Sequence, residues 1–189
     1  MIAIPSGLFL TPNFISAEKE AEIITWLDAR PWSTEISRRT QHFGYSYNYN
    51  KKDITLTNPM EGPILEIAQM IEQMGIMKSR DTNVRQCIVN EYYRNQGIAP
   101  HIDNLKFGPI VIGLSIGNDA VMTFTRGTEI FECFLPRLSM VMLSQDARYE
   151  WKHSIDKRVT YTSPCGQKIT KPQDYRRISL TYRSLSNDT

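Results

Sequence analysis

The 189-residue sequence predicts an α+β fold, with N-terminal helices packed on one face of a β-sandwich or jelly roll. Three observations predict it. Helical periodicity is confined to the chain before Gly75. From Arg85 onward the chain breaks into short segments rich in branched and aromatic residues, separated by turn signals. No internal repeat, low-complexity run or Gly/Ser linker interrupts it, so 1–189 is expected to be one domain. Helices and a recognition lid would occupy 1–84 and the jelly-roll core 85–189.

Ser16 to Arg30 reads as the first helix. Ser16 is a suitable N-cap, Glu18, Glu20 and Glu22 crowd the positive helix start, and Ile23, Ile24, Trp26 and Leu27 form an apolar stripe. Met60 to Met74 reads as the second. Pro63 suits its first turn, Ile64, Ile67, Ala68, Ile71 and Met74 line one face, and Gly75 can end it. The strands expected after that are Arg85–Tyr93, Ile110–Ile116, Ala120–Thr125, Glu129–Leu135, Leu138–Leu143 and Arg177–Arg183. Ile155 to Tyr175 carries Pro164, Gly166 and Pro172 and reads as a long loop of the kind that serves as a lid.

Composition narrows the function. Apolar residues are 41% and charged residues 22%, which excludes a mainly disordered chain. The longest apolar stretches, such as Leu138–Leu143, are strand-length, far short of the roughly 20 residues a spanning helix needs. Lys and Arg number 22 against 20 Asp and Glu, so any phosphate-binding surface has to be a local patch. Cys87, Cys133 and Cys165 are an odd, widely spaced set, which argues against a disulfide framework. With no basic leader before Pro12, an intracellular protein is expected, and a monomer.

Four constellations carry possible chemistry. His101 and Asp103 are two apart, so on an extended chain both project to one side and could reach one metal ion. A two-histidine, one-carboxylate set needs a further imidazole, for which His153 is the natural choice and His42 the competitor. Alternation along Arg177–Arg183 puts Arg177, Ser179, Thr181 and Arg183 on one face, either a solvated face or a row of donors aimed into a barrel. Asn90 and Tyr92 share a strand face, as plain core residues or as two hydrogen-bonding groups for one ligand. Arg38 to Lys52 mixes basic residues with Tyr45, Tyr47 and Tyr49, which suits either an edge hairpin or stacking on bases beside phosphates.

In this order, the four pieces resemble the AlkB-like Fe(II)/2-oxoglutarate dioxygenases, over about Arg38 to Arg183. Gly97-Ile98-x-Pro100-His101-Ile102-Asp103, Leu114-Ser115-Ile116-Gly117 and Arg148-Tyr149-x-Trp151-x-His153 are similar to family text. Gln41-His42-Phe43-Gly44-Tyr45 looks closest to the branch containing the tRNA wobble-uridine hydroxylases. Those enzymes add an RNA-recognition motif and a methyltransferase domain, and neither is expected in these 189 residues. Leu105 stands where the bacterial repair enzyme has an acidic base-reading residue, and Ser154 where glycine commonly follows the metal histidine.

The resemblance implies that the fold is a double-stranded β-helix (jelly roll) and that His101, Asp103 and His153 hold Fe(II). It implies that Arg177, assisted by Tyr92, pairs with the distal carboxylate of 2-oxoglutarate, and that Arg183 and Asn90 lie near its 1-carboxylate. With O2, the family oxidises a C–H bond while 2-oxoglutarate becomes succinate and carbon dioxide. A modified base in RNA or DNA is the expected substrate, taken from a single strand or flipped from a duplex. Arg38, Arg39, Tyr47 and Tyr49 are its expected contacts. A protein side chain as substrate, and a non-catalytic jelly-roll binding module, are the alternatives.

Overall fold

The structure, a computed structural model, describes residues 4–48, 53–76 and 84–186. Ser16 begins helix α1 (Ala17–Asp28), its hydroxyl accepting from the Lys19 N–H at 3.2 Å. Helix α2 (Gly62–Gln73) carries Pro63 in its first turn and ends at Gly75, whose φ of +63° suits a glycine. The apolar stripes expected from the sequence are the faces buried: Ile23 and Leu27 from α1, and Ile64, Ile67, Ala68 and Ile71 from α2.

Both helices lie on one face of a seven-stranded antiparallel sheet. In chain order its strands are β1 (Leu8–Thr11), β2 (Arg39–Asn48), β3 (Asp53–Leu56), β4 (Gln86–Tyr93), β6 (Phe107–Ile116), β9 (Ser139–Leu143) and β13 (Arg176–Leu185), and their spatial order is β1-β9-β6-β13-β4-β2-β3. A second sheet, in the order β5-β10-β7-β8, holds β5 (Ile98–His101), β7 (Ala120–Arg126), β8 (Glu129–Leu135) and β10 (Lys152–Ile155). Phe124, Cys133 and Leu135 of this sheet pack with Val111, Val141 and Leu143 of the larger one, together with Trp151. The result is the expected jelly roll with helices on one face.

Period-2 alternation sorts β13 between two environments. Ile178, Leu180 and Tyr182 are fully buried under the helices, and Arg177, Ser179, Thr181 and Arg183 face the cavity between the sheets. Each of those buried apolar side chains contributes about 1.5–3 kcal/mol. Strand β4 is sorted the same way, with Cys87 and Val89 under the helices and Gln86, Ile88, Asn90 and Tyr92 toward the cavity.

The stretch 155–175 differs from the expected long loop. It begins with the last residue of β10 and holds a hairpin of β11 (Thr160–Thr162) and β12 (Lys168–Thr170), closed by Ser163 N–H donating to the Gln167 carbonyl at 2.8 Å. Strands of three residues are too short for periodicity to reveal. None of residues 156–175 lines the cavity. Short helix α3 (Gln145–Tyr149) follows β9 and carries Arg148 into the interior.

Candidate metal and co-substrate site

The cavity between the sheets is about 540 Å³, within the range of small-molecule sites. On its second-sheet wall, β5 and β10 pair antiparallel with His101 directly opposite His153, ring centroids 4.3 Å apart. Gly97 permits the approach: a β-carbon there would collide with the Ile155 carbonyl of β10. Asp103 lies two residues past the end of β5, so it reaches the histidines from the loop and not, as expected, from the same strand.

One ligand atom from each of His101, Asp103 and His153 lies within 4.8 Å of the others. The His101 Nδ1 sits 2.9 Å from the Ala99 carbonyl, which can only accept, so Nδ1 carries a proton and Nε2 is the nitrogen left to ligate a metal. Asp103 is buried. Its Oδ1 accepts from Arg183 Nη2, and its Oδ2 has no hydrogen-bond partner. Burial pushes the Asp103 carboxyl up, but Arg183, His153 and His101 outweigh it, and it is held below the ordinary aspartate range. Burial drives His153 down to about 4 against the opposing pull of Asp103, so its imidazole is neutral near pH 7. A neutral His153 imidazole, a His101 ring whose Nε2 faces the cluster, and an ionised carboxylate with an orphaned buried oxygen are a donor set that fits Fe(II). His42, the competitor, is on β2 across the cavity and outside this cluster.

The opposite wall carries the expected co-substrate residues in register. Arg177 is opposite Tyr92, Ser179 opposite Asn90, and Arg183 opposite Gln86. Arg177 is 2% exposed, and its hydrogen bond is a neutral one, from Nε to the Ser115 hydroxyl at 2.9 Å. Tyr92 lies with its ring centroid 5.4 Å from that guanidinium. A buried cation without a carboxylate is costly, and a bound anion is the natural compensation. Arg183 donates to the Gln86 side-chain carbonyl at 2.9 Å as well as to Asp103, and Gln86 in turn donates to the Tyr45 carbonyl at 2.7 Å.

The four expected base contacts separate. Arg38 lines the cavity and donates from Nε to Asn90 Oδ1 at 2.7 Å. Arg39 points to the other face, where Nη2 donates to Glu91 at 2.8 Å and the guanidinium lies 5.1 Å from the Trp32 ring. Glu91 is fully buried and also accepts from Arg176, which holds Asp28 at the end of α1, so Arg39 is part of a helix-to-sheet clamp. Tyr47 is in β2 opposite Ile54, and Tyr49 lies outside the described residues.

Sequence reading gave no role to Arg148, Gln86 or Ser115. Arg148, 1% exposed, donates to the backbone carbonyls of Asp103, Asn104, Phe107 and Gly108 and so pins the loop that carries Asp103. Gln86 could have been found from its place on the Asn90 and Tyr92 face of β4. Arg148 had no local signal, because its partners are carbonyls about forty residues away.

The chain matches the 2OG-Fe(II) oxygenase superfamily over residues 7–183. It is 29% identical over 184 residues to an uncharacterized protein of Acanthamoeba polyphaga mimivirus, covering 95% of this chain and 85% of that one. It is 29% identical over 212 residues to the alkylated DNA repair protein ALKBH8 homolog of Arabidopsis thaliana, covering 96% of this chain and 59% of the relative's length. Among solved structures, OsALKBH1 superposes with a TM-score of 0.67 at 15% identity, covering 97% of this chain and 98% of that one, a likeness of fold. No helix among the described residues is long and apolar enough to cross a membrane. The chain belongs to the 2OG-Fe(II) oxygenase superfamily, homologous to the AlkB-like proteins, and is a 2-oxoglutarate-dependent dioxygenase that works with Fe(II) and O2.

Proposed function

We propose that the protein oxidises a modified base in nucleic acid, by demethylating an alkylated RNA or DNA base or by hydroxylating a tRNA base, and that residues 1–189 act as one AlkB-like catalytic domain. The observation that carries this reading is the opening of one cavity onto three features: the His101, Asp103 and His153 cluster, the uncompensated Arg177, and Arg38. The Arabidopsis relative is named for repair of alkylated DNA, which supports a nucleic-acid substrate.

In this reading His101 Nε2, His153 Nε2 and Asp103 Oδ2 are the metal ligands. Bound Fe(II) with 2-oxoglutarate and O2 supplies the oxidising power, the co-substrate leaving as succinate and carbon dioxide while a substrate C–H bond gains oxygen. Arg177 and Tyr92 hold the distal carboxylate in a buried, water-poor end of the cavity, where a guanidinium fork is strongest. Arg183 and Asn90 orient the 1-carboxylate end, and Arg183 keeps Asp103 ionised and aimed. Arg38 lies beside Asn90, where a base held out of its stack would enter. Hydroxylation of an N-methyl group releases formaldehyde, whereas hydroxylation of a side-chain methylene leaves a stable alcohol.

Succinate release with Fe(II) and 2-oxoglutarate tests this, comparing methylated single-stranded DNA, duplex DNA, tRNA and methylated peptides. Stimulation by a nucleic acid is expected. Stimulation by peptides alone would end the nucleic-acid reading in favour of a protein oxygenase, and no succinate with any of them would favour a binding module.

A further inference from the structure

The charge of the cavity wall bears on which bases can enter. Among the described residues, three guanidinium groups line the cavity, those of Arg38, Arg177 and Arg183, against one carboxylate, Asp103. Neither a lysine nor a glutamate is among the described residues that line it. Protonation of a lining imidazole would add to the positive excess. A ferrous ion adds two positive charges and 2-oxoglutarate removes two, so the reagents leave the excess unchanged.

The single carboxylate is fully committed in this reading, since Asp103 Oδ1 accepts from Arg183 and Oδ2 is the oxygen that would ligate the metal. It has nothing left for a second cation. Arg177 and Arg183 lie on β13, and Arg38 stands apart from them, immediately before β2. Unlike its neighbour Arg39, Arg38 meets a neutral group, the Asn90 amide. Its nearest lining residues along the chain, Ile36 and Thr40, carry no charge, and the Glu35 carboxylate, whose field reaches His42, is not among the residues that line the cavity. A guanidinium keeps its charge at any working pH, so this wall stays positive.

Resting on the nucleic-acid reading above, we infer that the cavity takes a modified base without positive charge and rejects cationic N-methylated bases, with Arg38 as the specificity-determining residue. A cationic base would surrender its hydration beside an unneutralised guanidinium, with no acceptor carboxylate in the wall to offset the loss. A neutral base of the same shape meets no such opposition and can accept hydrogen bonds from Arg38. The discrimination is built by repulsion of the wrong ligand as much as by attraction of the right one.

The test compares trinucleotides carrying 3-methyluracil or 3-methylcytosine, which share a shape and differ by one positive charge at neutral pH. The protein is loaded with redox-inert Mn(II) and 2-oxoglutarate, and competitive binding is read by fluorescence anisotropy. The 1-methylguanine and 1-methyladenine pair repeats the comparison with a purine. The neutral member of each pair is expected to bind about tenfold tighter or more. Arg38→Gln should narrow the gap and Arg38→Glu should invert it. Equal or tighter binding of the cationic members by the wild-type protein overturns the inference, whatever the variants do. A gap that neither variant moves overturns the role of Arg38. Failure of every trinucleotide to bind, while Mn(II) and 2-oxoglutarate still do, would instead end the nucleic-acid reading and this inference with it.

Discussion

His101 and His153 face one another directly across the β5 and β10 pair, their ring centroids 4.3 Å apart, with Asp103 Oδ2 3.7 Å from His153 Nε2. Two imidazoles this close, one with a proton fixed on Nδ1 by the Ala99 carbonyl, gain little from each other and much from a shared cation. His153→Ala should weaken Mn(II) binding, read by calorimetry, by more than the roughly 10–100-fold that loss of an outer-shell partner costs. His42→Ala should leave that affinity unchanged. Equal losses in the two variants would place the ion elsewhere.

Arg177 allows a prediction with opposite signs in two assays. Its buried guanidinium lacks a carboxylate, so in the ligand-free protein its charge is a burden. Arg177→Met keeps the volume and removes the charge. Urea unfolding of the free protein should find the variant as stable or up to about 1–4 kcal/mol more stable. Its affinity for 2-oxoglutarate should fall, and the stabilisation that saturating 2-oxoglutarate gives the wild type should be lost.

Glu91 sets a pH dependence of stability. Burial raises its carboxyl, but the hydrogen bonds and charges of Arg39 and Arg176 outweigh that and hold it below the ordinary glutamate value of 4.5. The contribution is therefore complete above 4.5, where the unfolded chain is also ionised, and is lost as pH falls from there through the folded-state value. The urea midpoint should drop over that acid window. Glu91→Gln should be destabilised at pH 7 by about 3–5 kcal/mol, having left two arginines without their partner, and should show a shallower acid slope.

Arg38 and Arg39 are neighbours with different duties. Arg38 lines the cavity and Arg39 belongs to the Glu91 clamp. Arg38→Ala should weaken RNA binding without lowering the thermal midpoint, and the salt slope should fall by about one at most. Arg39→Ala should lower the thermal midpoint with the salt slope unchanged. The reverse pattern, from anisotropy titrations at several salt concentrations, would exchange the two assignments.

Arg148 makes four hydrogen bonds, to the carbonyls of Asp103 and Asn104 in the loop after β5 and of Phe107 and Gly108 at the start of β6. Arg148→Lys keeps the charge but cannot span four acceptors with a compact ammonium. Mn(II) affinity should fall about 10–100-fold, the cost of disturbing an orienting group. The Asp103 carboxylate itself is untouched, so added metal should restore the wild-type thermal midpoint. A loss that excess metal does not recover would make Arg148 a general element of the core.

The helix stripes, the two-sided alternation of β4 and β13, and the His101-x-Asp103 pair were all legible along the chain. Each depends on a period of two or 3.6 residues, or on a motif written in contiguous residues, and local geometry settles it. Tertiary structure alone decided the rest. It put His153 and not His42 opposite His101, because strand order in the second sheet is a long-range choice. It turned Arg39 away from the cavity toward a buried carboxylate, although Arg38 and Arg39 read alike in sequence. It folded 155–175 into a hairpin and engaged Arg148 with a loop about forty residues away. Partners of charged groups are chosen by burial and closure across the whole fold, and no local period encodes them.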